Sequence, residues 1–180
     1  MVLLRVIAGS LKGRRLEAPE DGDLRVRPTS DRAREALFSI LQRWPQGPFL
    51  DLFSGTGAVA LEAFSRGYGP VTAVEKGEPG WSCIQRNLRG TQVEALRTDA
   101  LALGAEAFRD QAVIFADPPY AEASAAWEAL AARLRGWLEP GGVLIWETDS
   151  GLDLPSAPGW RLEGVRDYGR VRFHLLEPGE

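Results

Sequence analysis

The chain has 180 residues, 44% of them hydrophobic and 26% charged, which is the make-up of one globular domain with a buried core; its longest apolar runs are too short to span a bilayer. One cysteine, Cys83, and one histidine, His174, exclude an internal disulfide or a structural zinc site and leave His174 as the only base for Ser-His-Asp or Cys-His chemistry. The net charge of −4 is unevenly spread: residues 1–45 hold nine Lys/Arg against six Asp/Glu (+3), and residues 46–180 hold twelve against nineteen (−7).

The opening MVLLRVIAGS lacks the basic start and long apolar stretch of a secretory leader, so a cytoplasmic location is expected. Residues 3–8 read as a strand, Gly9 to Gly13 as a turn and residues 14–17 as a returning strand, a small hairpin with Lys12, Arg14 and Arg15 near its tip. Residues 18–24, APEDGDL, make a polar connector. RPTSDRAREALFSILQRW follows as a helix capped by Thr29 or Ser30, with Asp31 suited to its positive end and Ala33, Ala36, Leu37, Ile40 and Leu41 as the apolar face. Pro45 stops it. Strands are then expected at 49–53, 71–75, 93–97, 112–116 and 142–147, alternating with helices at 58–66, 80–89, 101–108 and 124–138. That alternation predicts βαβ units on a parallel sheet covered on both faces. The last stretch, WRLEGVRDYGRVRFHLLE, reads as two strands around Asp167–Gly169, a hairpin instead of another crossover. The expected fold is therefore α/β, doubly wound and Rossmann-like.

Residues 49–57, FLDLFSGTG, end a strand in a glycine turn that opens a helix, the place where open α/β sheets bind ligands. Gly55 and Gly57 allow close backbone approach. No Walker lysine follows, and although Gly55–Ala60 fits G-x-G-x-x-A, Asp51 sits where a dinucleotide's pyrophosphate would have to come. A ligand with positive charge suits Asp51 better. S-adenosylmethionine carries an ammonium and a sulfonium and no phosphate; Glu75, at the next strand end, is placed for its ribose hydroxyls, and Asp99, after the third, for its adenine amine.

FADPPYA ends the fourth strand beside the first, facing the same pocket. A planar amine on a nucleobase must turn its delocalised lone pair toward a methyl donor. Asp117 accepting one N–H and the Pro118 carbonyl accepting the other would hold it so, with Pro119 stiffening the turn and Tyr120 stacking on the base. No strong base is needed before transfer, because the amine turns acidic only once methylated.

Asp51–Gly57, Glu75, Asp99 and Asp117–Tyr120 together resemble the class I S-adenosylmethionine-dependent methyltransferases that act on exocyclic amines. With RVIAGSLKGRRLEAP, RPTSDRAREALFSIL and GRVRFHLLE added, the chain is similar over nearly its whole length to the bacterial small-subunit ribosomal RNA guanine 2-amino methyltransferases, the RsmD family. The resemblance implies a seven-strand sheet with an antiparallel last hairpin and a projecting N-terminal β arm that grips RNA. It also implies a substrate in the assembled or partly assembled 30S subunit. It assigns residues 1–27 to the RNA-binding extension and 28–180 to the methyltransferase domain. It puts Asp51, Ser54, Gly55, Thr56 and Gly57 at the methionine end of S-adenosylmethionine, and Glu75 and Lys76 at its ribose. Asp99 and Ala100 fall at the adenine, Asp117, Pro118, Pro119 and Tyr120 at the guanine, and Thr29, Asp31 and Arg32 border both. Arg5, Lys12, Arg14, Arg15, Arg25, Arg27 and Arg32 become phosphate contacts that position RNA without reading it. The proline and glycines of KGEPG give the cofactor edge its own shape. No metal and no membrane partner is implied, and nothing demands more than a monomer.

The residues by themselves leave other readings open. Amine methyltransferases on DNA bases or a protein amide share DPPY-like motifs, though many begin with Asn. A nicotinamide oxidoreductase is disfavoured by Asp51, and a non-catalytic RNA-binding assembly factor by the intact DPPY and glycine turn.

Overall fold

Strand and helix alternate as the hydrophobic pattern requires in the computed structural model, which describes residues 4–19 and 29–179. Helix α1 (Asp31–Leu41) leads into β1 (Phe49–Leu52), α2 (Ala58–Ser65), β2 (Val71–Glu75), α3 (Gly80–Asn87) and β3 (Glu94–Arg97). Then come β4 (Gln111–Ala116), α4 (Ala123–Trp137), β5 (Leu138–Asp149), β6 (Trp160–Tyr168) and β7 (Val171–Pro178). The seven strands form one sheet in the order β3-β2-β1-β4-β5-β7-β6. The first five run parallel, and β7 is antiparallel to both its neighbours. This is the expected Rossmann-like doubly wound sheet with an antiparallel C-terminal hairpin. The chain winds outward from β1 in one direction and from β4 in the other, so their C-terminal ends frame the switch-point crevice.

Alternating side chains build a core on each face of the sheet. On one, Phe49, Val113, Phe115, Val143, Ile145 and Phe173 meet α1, α2 and α3; Phe38, Phe49 and Tyr68 cluster there with ring centroids 5.4–6.0 Å apart. On the other, Leu50, Ile114, Leu144 and Trp146 meet α4 through Trp127, whose ring lies edge-on to Trp146 at 5.0 Å.

Four expectations change in the structure. Residues 101–108 form no helix beyond the 3-10 turn Ala100–Ala102, and side-chain donors on α4 satisfy carbonyls of this stretch instead. Arg133 donates to the Leu101 and Leu103 oxygens at 2.9 and 3.0 Å, and Trp137 Nε1 to that of Ala105 at 2.8 Å. Strand β5 begins directly after α4, at Leu138, and Gly142 lets it close on β4, since a Cβ there would stand 2.8 Å from the Gln111 oxygen. In α1, capped by Ser30, the buried set is Ala33, Arg34, Leu37, Phe38 and Leu41, with Ala36 and Ile40 only partly covered. The buried Arg34 donates to the Arg5 carbonyl at 2.6 Å and to Asp31 Oδ1 at 2.7 Å.

The fourth concerns the N-terminal arm. Its two limbs pair as expected, through the antiparallel Arg5–Arg15 bridge and the backbone bonds Leu16 N to Leu4 O, Val6 N to Arg14 O and Gly13 N to Val6 O, each 2.9 Å, but the hairpin lies against the domain instead of projecting. Leu4, Val6 and Leu16 are buried in the first core, so their apolar surface drives docking. The amides of Ile7 and Ala8 donate to the buried Glu62 carboxylate at 2.8 and 3.0 Å, and Arg66 pairs with it at 2.7 Å. Arg25 and Arg27 lie outside the described residues.

Candidate active site

The crevice beyond β1, β2, β4 and β5 is a cavity of about 990 Å³. Its floor starts at Asp51, third residue of β1 and 1% exposed. The turn that follows doubles back sharply: Phe53 takes the left-handed conformation at φ 59° and Gly55 at φ 58°, and the Ser54 amide donates to the Val74 carbonyl of β2 at 2.8 Å. A phenylalanine held there stores strain of the kind found at functional turns. The Asp51 carboxylate organises the turn, with Oδ2 accepting from Ser54 Oγ at 2.5 Å and from the Ala60 amide at 3.1 Å. Its Oδ1 is shielded from solvent without a partner among the described residues. Burial pushes the carboxyl up to about 7, against the pull of the Ser54 and Ala60 bonds, with the charges of Asp117 and Glu75 adding to the rise.

Glu75 ends β2 and bridges two loops: Oε2 accepts from the Gly55 amide at 2.9 Å and Oε1 from the Gly77 amide at 3.1 Å. Gly80, first residue of α3, makes this possible, because a Cβ there would come 3.0 Å from both the Glu75 carboxyl carbon and the Gly55 oxygen. The KGEPG glycine thus shapes the edge of the cavity. Asp99 follows β3, with Oδ1 accepting from the Leu101 amide at 2.9 Å.

Beyond β4 the DPPY residues line the opposite wall. Asp117 is partly buried and Pro118 buried, while Pro119 and Tyr120 are exposed. Tyr120, 68% exposed, is the most exposed of the large hydrophobic residues among those described, and it stands at the cavity. Burial, then the negative charge of Asp149, raises the Asp117 carboxyl to about 7.

The cavity therefore gathers Thr29, Arg32, Asp51, Ser54, Gly55 and Thr56 with Glu75, Lys76, Asp99, Ala100 and the four DPPY residues. Lys76 pairs with Glu122 at 3.3 Å. Two expected cofactor residues lie outside the lining. Asp31 is engaged with Arg34 and with Arg5, the latter at 3.4 Å. Gly57 caps α2 at φ 78° and faces α3, where a Cβ would meet Ile84 at 3.1 Å. Arg5, Lys12, Arg14 and Arg15 also lie off the lining. Lys12 and Arg15 are exposed, but Arg14 donates to the Asn87 and Arg89 carbonyls at 2.8 and 2.7 Å, tying the arm to the end of α3. His174 and Cys83 are buried and outside the cavity, His174 against Thr148 Oγ1 at 3.0 Å.

Sequence reasoning missed Glu147, Asp149 and Arg170, all lining the cavity. Glu147 is buried, and burial followed by the charges of Asp117, Asp51 and Asp149 raises its carboxyl well above the ordinary range. Its alternation with Val143 and Ile145 was the available signal. Among the described residues no group of three His, Cys, Asp or Glu is arranged to hold a metal ion, and no helix is long and apolar enough to cross a membrane.

The profile of the family described as Conserved hypothetical protein 95 matches residues 4–177, nearly the whole chain. The chain belongs to that family. Among similar proteins, one of Escherichia coli K12 named Ribosomal RNA small subunit methyltransferase D is 28% identical, over 97% of this chain and 89% of its own. YlbH of Bacillus subtilis, whose name also places it with rRNA methyltransferases, is 34% identical over 87% of this chain and 88% of its own. The solved structure of the Thermus thermophilus protein TTHA0928 superposes with a TM-score of 0.82 at 31% identity, covering 97% of this chain and 99% of that one.

Proposed function

We propose that this member of the family transfers a methyl group from S-adenosylmethionine to the exocyclic 2-amino group of a guanine in small-subunit (16S) ribosomal RNA, in the cytoplasm, as a monomer acting on an assembled or partly assembled 30S subunit. The names of its relatives support the reaction class and the RNA. The observation that carries the reading is a single cavity in which strand-end acids on β1 and β2 face a DPPY turn with an exposed ring.

The residues fit the cofactor. Asp51 Oδ1 is a buried acceptor without a partner among the described residues, the chemistry an ammonium requires and a pyrophosphate would oppose. Asp51, Ser54 and the Gly55–Thr56 backbone would hold the amino-acid end, Glu75 and Lys76 the ribose, and Asp99 with Ala100 the adenine. S-adenosylmethionine supplies a sulfonium-activated methyl group when bound. Glu75 keeps lone pairs for hydroxyls after accepting from Gly55 and Gly77, so the loop that frames the site and the ribose contact share one carboxylate.

On the other wall Asp117 and the Pro118 carbonyl would accept the two N–H groups of the target amine, directing its lone pair across the cavity. Tyr120 would stack on the base once it leaves its helix, a contact worth about 1–3 kcal/mol in single-strand binders. A carboxylate at Asp117 stabilises the positive charge that builds on the amine and can take the proton the methylated nitrogen sheds. Among the described residues, Arg32 and Arg170 at the cavity and Lys12 and Arg15 on the arm are exposed cations that would meet phosphates, and Thr29 borders the entrance.

The experiment is nucleoside mass spectrometry of ribosomal RNA from cells with and without the gene, followed by transfer of labelled methyl from S-adenosylmethionine to the deficient 30S subunits. One 2-methylguanine should vanish from the small-subunit RNA and return with the protein. A full complement in the deficient cells would refute the proposal.

A further inference from the structure

Ala116 of β4 pairs with Trp146 of β5 in parallel register, so Asp117, the first residue past β4, and Glu147, still within β5, stand side by side on neighbouring strands. Neighbouring strands stand about 4.8 Å apart, close enough for two side chains to converge on one edge of a purine. Along β5, Val143, Ile145 and Glu147 share a face, and the first two belong to the apolar core that includes Phe115 and Phe173. Glu147 lies opposite Phe173 in the β5–β7 register. An apolar residue would extend that core; a carboxyl stands there instead. It is 7% exposed, lines the cavity, and its Oε2 is shielded from solvent with no hydrogen-bond partner among the described residues. Glu75 and Asp99 both satisfy backbone amides, and Asp51 shares its unpartnered oxygen with the amino-acid end of the site. Glu147 stands instead two residues before the end of β5, on the strand beside the DPPY turn. A buried acceptor left without a donor is costly, and buried polar groups almost always have one.

We propose that Glu147 accepts the ring N1–H of the target guanine, so that Asp117 and Glu147 together read the adjacent N1–H and 2-amino donors along one edge of the base. This inference rests on the guanine 2-amino reading above. Enzymes that act on an extruded base identify it through hydrogen bonds to its Watson–Crick edge. On that edge a guanine offers one N–H beside the amine, and the amine is already held by Asp117 and Pro118. The N1–H is the donor left over, and the Glu147 carboxyl is the acceptor left over. Burial and the surrounding Asp117, Asp51 and Asp149 charges favour the protonated form of Glu147, and an oxygen remains to accept N1–H in either form. Glu147 is thus a base-reading residue, distinct from Asp117, which holds the reacting nitrogen.

The test uses 2-aminopurine, which keeps the 2-amino group but has an unprotonated ring nitrogen in place of N1–H. Once the methylated nucleotide is mapped, small-subunit particles are reconstituted around RNA carrying guanine or 2-aminopurine at that position. Methyl transfer is then measured as kcat/KM for the wild type, Glu147→Leu and Glu147→Gln. The wild type should prefer guanine by about tenfold to a hundredfold, since a site built to accept a hydrogen bond rejects a base lacking the donor. In Glu147→Leu the preference should collapse through loss on guanine alone, with 2-aminopurine little changed. Glu147→Gln, which keeps a carbonyl acceptor, should retain most of it. A wild type that uses both bases equally well would overturn the inference, as would a leucine variant slowed equally on both. Failure of the wild type to methylate the 2-amino group of guanine at all would instead remove the underlying functional reading, and this inference with it.

Discussion

Asp51→Asn separates what the buried carboxylate does for the fold from what it does for the ligand. Asp51 is 1% exposed, and burial is the leading cause of the rise of its carboxyl from 3.8 to about 7. An acid whose folded-state value lies above its unfolded value stabilises fully below the unfolded value, and that contribution is lost as pH rises through the folded one. For this group the loss between about pH 5 and about pH 8.5 is about 2–3 kcal/mol. Asparagine cannot ionise, so the variant lacks that slope, while any cost of fitting an amide beside Ser54 and Ala60 is the same at every pH. Urea unfolding of the cofactor-free protein should therefore show the stability difference moving in favour of the asparagine variant by about 2–3 kcal/mol over that range. Calorimetry at the higher pH should show S-adenosylhomocysteine, which carries the same ammonium, binding the variant at least about tenfold more weakly, a loss of about 1.4 kcal/mol. Parallel pH profiles for the two proteins would refute the account of a desolvated carboxylate. Undiminished binding would remove Asp51 from the cofactor site.

Asp117→Ala should abolish methyl transfer and leave S-adenosylhomocysteine binding intact; in the wild type, kcat should rise with pH through about 7 as Asp117 ionises, and a flat profile would contradict its role as acceptor. Gly9→Ala places a Cβ 1.8 Å from the Ser65 carbonyl at a φ of +85°, so it should lift the arm and destabilise the protein by at least about 2 kcal/mol; an unchanged Tm in thermal unfolding would show that the arm is not docked there. Arg14→Ala should cost about 1–3 kcal/mol of stability, because it leaves the Asn87 and Arg89 carbonyls without their donor. The Lys12→Ala/Arg15→Ala pair should leave stability unchanged and instead reduce the slope of log RNA affinity against log salt by about 0.7–0.9 per lost phosphate contact. Equal effects of the two sets on both readouts would refute this division.

That division shows where sequence reading stopped. Arg14 and Arg15 are adjacent in the chain, equally basic and equally suited to phosphate. Only the placement of α3 turns one into a strut for Asn87 and Arg89 and leaves the other in solvent. Asp31 has the right type and position for a ligand contact, yet Arg34 and Arg5 occupy it. Residues 101–108 carry helical spacing, yet past Ala102 they run as a loop whose carbonyls accept from Arg133 and Trp137 of α4, donors 32 residues away.

What the sequence determined by itself was local. Periods of two and of three to four residues located the strands and most helices, and the alternation of the two dictated a parallel sheet with its crevice beyond the strand ends. DLFSGTG and DPPY each lie on a few consecutive residues whose backbone conformation depends mostly on their own glycines and prolines, so both were legible before any coordinates. The tertiary structure decided the environments. That Asp51 and Glu147 carry shielded oxygens without partners among the described residues depends on strands and helices closing over them from distant parts of the chain. Likewise the arm docks because Leu4, Val6 and Leu16 find the first core, and it is held where Glu62 accepts from Ile7, 55 residues away. Hydrogen-bonding capacity belongs to a residue, but burial and partners belong to the fold. The raised carboxyls of Asp51, Asp117 and Glu147 follow from the second.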